Sequence, residues 1–306
     1  VRGAMTAYSR FVAIGDSTTE GLEDPYPPGH HPYAETGHTL SPSHPDPAGS
    51  YRGWADRLAE HIAGSQEQPL EYANLAVRGN VLADIHRDQL PRALELRPEL
   101  MTIVGGVNDA ASPKWKEASA RGYLSSMFHQ AQRAGITVVT FTMPDPASIN
   151  WMVRPLRRHI LQLNAITREE GARYGAHVLD LAMTDVSTDP RMWHPDRLHA
   201  TPLGHETIAA GLAHALGLSG FESYADPLDA IDPSPWRDRR RADTEWLRTY
   251  FGPYVVRKIR GRSMGDGLSP KRPHPIPVDP NVNSVDPSVN SVDPNETPMG
   301  SSRAAS

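Results

Sequence analysis

Apolar positions along the chain fall into two alternating patterns. Short, nearly unbroken apolar runs read as strands: RFVAIG (10–15), LEYANLA (70–76), LMTIVGG (100–106), ITVVTFTMP (136–144) and AHVLDLA (176–182). The fourth is the clearest, because β-branched residues dominate it. Between these runs, apolar residues recur at helical spacing. The predicted helices are GWADRLAEHIAG (53–64), LADIHRDQLPRALEL (82–96, with a break near Pro91), SARGYLSSMFHQAQRAG (119–135), LRRHILQLNAITREEGARYG (156–175) and TPLGHETIAAGLAHALG (201–217). The last carries a Thr201 N-cap, Pro202 at the first helical position and Gly217 as a stop. Strands alternating with helices imply βαβ units and a parallel sheet covered on both faces. Five strands make one doubly wound α/β domain over about residues 9 to 220. Such sheets bind ligands at the carboxyl ends of their strands.

Other segments break the pattern. Residues 1–8 are expected to be a flexible N-terminus. Residues 23–51 form a Pro/His/Gly-rich stretch between the first strand and the first helix. Its His30, His31, His38 and His44 match no metal-ligand spacing, so it reads as a solvated loop and no metal is expected. Residues 221–273 form a basic extension with a helix predicted at about 235–250. Its Lys258, Arg260, Arg262, Lys271 and Arg272 either bind a phosphate or polyanion, lie in solvent, or pack back on an acidic patch. In residues 274–306 Val-Asp-Pro recurs at 278, 285 and 292. Proline in every repeat excludes a coiled coil, and this tail reads as disordered.

Composition narrows the chemistry. There is no cysteine, which removes disulfides, thiolate-bound zinc and a thiol nucleophile. A formal charge of -5 argues against nucleic acid as a partner. No apolar run approaches the roughly 20 residues of a spanning helix, and no signal peptide is evident, so a soluble, cytoplasmic protein is expected. With 29 prolines, 24 glycines and 38% hydrophobic residues, part of the chain is expected to join no core.

The strand ends carry the candidate chemistry. Gly15-Asp16-Ser17 follows the first strand, Gly79 the second, Asn108-Asp109 the third, and Asp196 and His199 the fifth. Ser17 can act as a nucleophile if a base takes its proton. His199 can be that base, and Asp196, three residues earlier, can hold its tautomer. The backbone N–H groups of Ser17 and Gly79 and the Asn108 amide can donate to an oxyanion. Asp16 is expected to shape the turn. His194 and His205 fit the base role less well, since His205 lies within a predicted helix and His194 precedes Asp196. Arg78 is either a substrate contact or a surface residue. Trp151, Met152 and Trp193 either line an acyl pocket or pack in the core.

These blocks resemble the SGNH hydrolase superfamily, the GDSL esterase/lipase family, through Ser17 in Gly-Asp-Ser, Gly79, Asn108 in GVND, and Asp196 and His199 in DRLH. The resemblance covers about residues 9 to 217. Flanking phrases such as YRGWADRLAE and GRSMGDGLSPKRP look like those of actinobacterial members and extend it to about 273. It implies a flavodoxin-like three-layer α/β/α sandwich with a parallel five-stranded sheet. It implies cofactor-free and metal-free cleavage of a small-molecule carboxylic ester through an acyl-enzyme. An acyltransferase or a carbohydrate deacetylase would use the same residues, and a non-catalytic binding module on this fold is the rival class. The sequence leaves the oligomeric state open.

Overall fold

The computed structural model describes residues 7–26, 51–149, 151–230, 236–252, 265 and 267–280. Its sheet contains β1 (Arg10–Gly15), β2 (Glu71–Asn74), β3 (Leu100–Val104), β4 (Thr137–Phe141), β5 (His177–Leu179) and β6 (Arg272–Pro277), in the order β5-β4-β3-β1-β2-β6. The first five pair in parallel and correspond to the five predicted strands. β1 lies between β3 and β2, with Phe11 opposite Leu100 on one side and Tyr72 on the other. The chain therefore leaves β1 in one direction and later returns to its other flank, which opens a crevice at the carboxyl end of β1.

Alternate residues of each strand enter opposite cores. Phe11 and Ala13 join Tyr72, Val139 and Phe141 against α2 (Gly53–Gly64) and α9 (Pro202–Ala215), through Trp54, Leu58, Ile62, Ile208 and Leu212. Val12 and Ile14 join Ala73, Met101 and Val138 against Leu82, Leu90, α6 (Glu117–Arg133) and α8 (Arg157–Tyr174). Burial on both faces is why these strands read as continuous apolar runs. The predicted 82–96 helix is α3 (Leu82–Asp84), a π-helical Ile85–Gln89 and α4 (Leu90–Glu95). Pro91 sits in the first turn of α4, directly after the π-helical turn, and the backbone stays helical through Gln89 and Leu90, so the predicted break is a change of helical pitch.

The five expected parallel strands are all present, and the structure adds to them. The sheet has six strands, because β6 pairs antiparallel with β2. This strand crosses the expected boundary between extension and tail at 273/274. Its sequence, RPHPIP, hides it: proline at every second position removes N–H groups from one side of the strand only, which an edge position tolerates. The strand is anchored by charge as well. Lys271 Nζ lies 3.1 Å from Asp56 Oδ1, and Arg272 Nη2 lies 3.5 Å from Oδ2. All three side chains are buried, and Tyr26 and Tyr72 also donate to Asp56 at 2.8 Å. Burial alone would raise the Asp56 carboxyl, but Arg272 and Lys271 hold it below its usual range. Two members of the basic run thus turn inward onto an acid. Lys258, Arg260 and Arg262 lie outside the described residues.

At the N-terminus, Tyr8 is buried in the core and exchanges two hydrogen bonds with Gln66, of 3.0 and 2.6 Å. Tyr8, within the stretch expected to be flexible, thus has defined partners in the fold. The first Val-Asp-Pro continues β6, with Val278 N–H donating to Leu70 O at 2.9 Å. The repeats at 285 and 292, and His30, His31, His38 and His44, lie outside the described residues. Among the described residues, no helix is long and apolar enough to cross a membrane.

Candidate active site

The end of β1 is held from both sides. The Gln89 amide accepts from Gly15 N–H and donates to Gly15 O, both at 2.8 Å. Only glycine fits here, since a Cβ would come within 2.3 Å of Val104 O. Asp16 then caps α1 (Ser17–Glu20), its Oδ1 accepting from Thr18 N–H at 3.1 Å and Thr18 Oγ1–H at 3.0 Å. The Asp16 side chain is committed to this turn.

Across the crevice lies the loop before α9. Asp196 Oδ1 accepts from the backbone N–H groups of Leu198 (2.8 Å) and His199 (3.0 Å). Oδ2 accepts from His199 Nδ1–H at 2.7 Å. Burial alone would raise the Asp196 carboxyl, but the hydrogen bond and charge of His199 outweigh it and hold the group at about 2. An ionised carboxylate only accepts, so the neutral imidazole carries its proton on Nδ1 and leaves a lone pair on Nε2. That nitrogen faces Ser17 Oγ at 3.0 Å, so the hydroxyl donates to it. Ser17 and His199 are 9% and 6% exposed, close to dry yet reachable from the crevice.

Gly79 lies in the loop after β2 with φ 80°, a left-handed conformation that suits glycine. Asn108 lies in α5 (Val107–Ala110) after β3, and its Nδ2 donates to Asn80 O at 3.0 Å. The Asn108 amide therefore ties the β3 loop to the loop that carries Gly79. Both loops follow strands that flank β1, so they border the Ser17 turn.

Residues 13–207 match the GDSL-like lipase/acylhydrolase family. The chain belongs to that family. The match contains all five candidate residues and stops short of β6. Among solved structures, the fold is similar to an alpha/beta hydrolase enzyme from the metagenome of Lake Arreo, Spain, with a TM-score of 0.55 and 18% identity over 71% of this chain and 99% of that one. It is similar to the lipase/acylhydrolase of Enterococcus faecalis, with a TM-score of 0.50 and 21% identity over 72% and 100%. It is also similar to an acetylxylan esterase from Geobacillus stearothermophilus, with a TM-score of 0.55 and 15% identity over 70% and 96%. No curated protein matches the sequence significantly.

Beside His199, this GDSL-like hydrolase has an apolar cavity of about 80 Å3. Val107, Phe141, Met143, Ile160, Leu181 and Trp193 contribute to its wall. Trp193 thus takes the pocket position weighed from the sequence, whereas Trp151 is 69% exposed. Arg78 is neither a surface residue nor turned to a substrate. It is buried, its guanidinium pairs with Glu20, and its backbone N–H donates to Glu20 Oε2 at 2.8 Å. This pair pins the Gly79 loop to the far end of α1, three residues beyond Ser17. Glu20 and Gln89 support the site without any motif signal. Each is a polar residue at an apolar position, which becomes meaningful only once its partner is known.

The two rival histidines have other roles. His205 Nδ1 accepts from Trp54 N–H at 3.0 Å and Nε2–H donates to Leu22 O at 2.9 Å. Only the neutral ring satisfies both contacts, and burial pushes its pKa down to about 4. His194 presents Nε2 to Glu23 and Nδ1 to Asp196, each at 3.4 Å. Among the described residues, Glu23, His194 and Asp196 are grouped closely enough to surround a metal ion. Here His194 Nδ1 accepts from the Asp196 backbone N–H at 3.3 Å while Nε2 faces Glu23, and the Asp196 carboxylate is engaged by His199.

Proposed function

We propose that the protein is a serine esterase acting on carboxylic esters with an apolar acyl group. The observation that carries this reading is the continuous hydrogen-bonded series from Asp196 through His199 to Ser17, at 2.7 and 3.0 Å. In this reading Ser17 Oγ attacks the ester carbonyl carbon while His199 Nε2 takes its proton. Asp196 stabilises the imidazolium and does not itself take the proton. The tetrahedral oxyanion accepts hydrogen bonds from Ser17 N–H, Gly79 N–H and the Asn108 amide. Collapse breaks the bond to the alcohol oxygen, which leaves with the proton from Nε2. Water then repeats the sequence on the acyl-enzyme, releasing the acid and restoring Ser17.

The cavity supports the choice of acyl group. Its room is several times what one water needs, and its walls offer carbon to the substrate. An apolar chain gains from burial there, whereas a sugar would lose hydrogen bonds to water without replacement. The reading is tested by hydrolysis of p-nitrophenyl acetate, butyrate and octanoate, with mass spectrometry after fluorophosphonate treatment. Turnover and a covalent adduct on Ser17, both lost in Ser17→Ala, are expected. An unlabelled and inactive wild type would instead favour a binding module. Transfer to an added alcohol at the expense of hydrolysis would identify an acyltransferase.

A further inference from the structure

The segment after residue 207 is outside the family match, yet it reaches the candidate active site. Helix α10 (Trp236–Trp246) continues into a π-helical Leu247–Phe251. Its described side chains are exposed except two, the half-buried Asp243 and the buried Trp246, which is 6% exposed. Three positions apart, these two share one face of the helix. Both touch the loop that carries Asp196 and His199. Trp246 Nε1–H donates to the backbone carbonyl of Asp196 at 2.6 Å. Asp243 Oδ1 pairs with Arg197 Nη2 at 2.7 Å, and the Arg197 guanidinium lies 5.6 Å from the centre of the Trp246 ring. One turn further on, Tyr250 stands edge-on to His194, which itself lies beside Asp196.

The loop has reason to need this support. Arg197 adopts φ 60°, a left-handed conformation that a non-glycine residue holds only when its surroundings impose it. It stands directly after Asp196, so relaxation of Arg197 would turn the Asp196 carboxylate relative to the imidazole. The loop's own bonds, from Asp196 Oδ1 to Leu198 and His199 N–H, fix its interior. Its outer side is fixed by α10.

We propose that α10 is a working part of the active site and that Trp246 is a positioning residue. Through the Asp196 carbonyl it holds Asp196 and His199 in line with Ser17. This rests on the reading of Ser17, His199 and Asp196 as the reacting series. The segment matched by the family would then be incomplete as a catalyst without residues 236–251. Arg197 also lines the apolar cavity, but Trp246→Phe leaves it an aromatic ring, so loss of the N–H bond to Asp196 should lower kcat and leave KM nearly unchanged.

The experiment uses the full-length protein and p-nitrophenyl butyrate. Trp246→Phe keeps a six-membered ring for Arg197 and for Phe251, which stacks on Trp246 at 5.2 Å, and removes the N–H donor together with the five-membered ring that carries it. A fall in kcat of about tenfold is expected, with KM within about twofold. The rate of fluorophosphonate labelling at Ser17 should fall in parallel, because it reports activation of the hydroxyl without the acyl cavity. Asp243→Asn should give a smaller loss of the same kind. Should Trp246→Phe lower the melting temperature while kcat and labelling stay within twofold of wild type, the contact is merely structural and the proposal fails. A rise in KM at constant kcat would equally overturn it, by making α10 a wall of the substrate site. A wild type that neither turns over ester nor labels at Ser17 would overturn the esterase reading itself, and this inference with it.

Discussion

Residues 13–207 and residues 236–280 are held in place by opposite means. The first region sandwiches its sheet between two apolar cores, and its stability comes from area removed from water. In the second, the buried side chains among those described are Trp246, Lys271, Arg272 and Ile276. Three of these four make a directed polar contact, to the Asp196 carbonyl or to Asp56. Hydrophobic burial is non-directional and tolerates small shifts, whereas a hydrogen bond or a buried ion pair specifies an atom. The large region makes a rigid platform, and among the described residues the small one meets it at the candidate catalytic loop, at the open edge of β2 and, through Gly265, at the Arg78 backbone.

The sharpest contrast is expected from Ser17→Ala. It should lower kcat for p-nitrophenyl butyrate by about 10⁴-fold or more while leaving the thermal melt in place. Retained activity would remove the chemical role from the large region. A pair of truncations probes the small region. Ending the chain after 270 removes β6 and leaves Asp56 buried without Lys271 and Arg272, which should cost about 3–5 kcal/mol in urea unfolding. Ending it after 280 keeps every described contact of β6 and should cost nothing measurable. Equal losses in both would break the claim that a few directed contacts tie the extension down. Asn108→Ala comes next, with kcat lower by about 10²–10³-fold if its amide meets the oxyanion. A change confined to stability would reduce Asn108 to its bond with Asn80.

The smallest effect concerns acid. His205 titrates at about 4 in the folded chain, against about 6.5 unfolded, because burial lowers it. Between those values the unfolded chain binds the proton and the native one does not. The stability His205 provides is therefore complete above pH 6.5 and is lost as pH falls towards 4, by about 3 kcal/mol. Asp109 opposes it. Burial raises its carboxyl to about 6, so the native state takes up a proton first and gains stability over much the same window. Asp109→Asn removes that compensation. Between pH 6.5 and 4 the variant should lose about 3 kcal/mol more than the wild type. Parallel curves for the two proteins would show that Asp109 does not compensate.

Much of the platform was legible because its signals are local. RFVAIG, ITVVTFTMP and GWADRLAEHIAG each carry a complete periodic pattern, and the structure places a strand or helix on each. The candidate residues were legible for a related reason: parallel topology puts every strand-to-helix loop at one edge. The contacts of Gln89, Glu20, Arg78, Trp246 and Lys271 were not legible. Their partners lie between 50 and 215 residues away, and nothing nearby in the chain announces them. RPHPIP failed as a strand signal because its pairing depends on which edge of the sheet it meets.

By itself, then, the amino-acid order determined the alternation of strands and helices, the parallel sheet, the turn that ends on Ser17 and the short spacing that joins Asp196 to His199. These follow from backbone geometry and from apolar periodicity over a few residues. Tertiary structure decided what faces each buried histidine. His199 and His205 stand six residues apart and are both buried. One finds a carboxylate and a hydroxyl, the other a backbone N–H and a carbonyl. An imidazole takes its character from the groups that face its two nitrogens, and those groups are brought together only by folding.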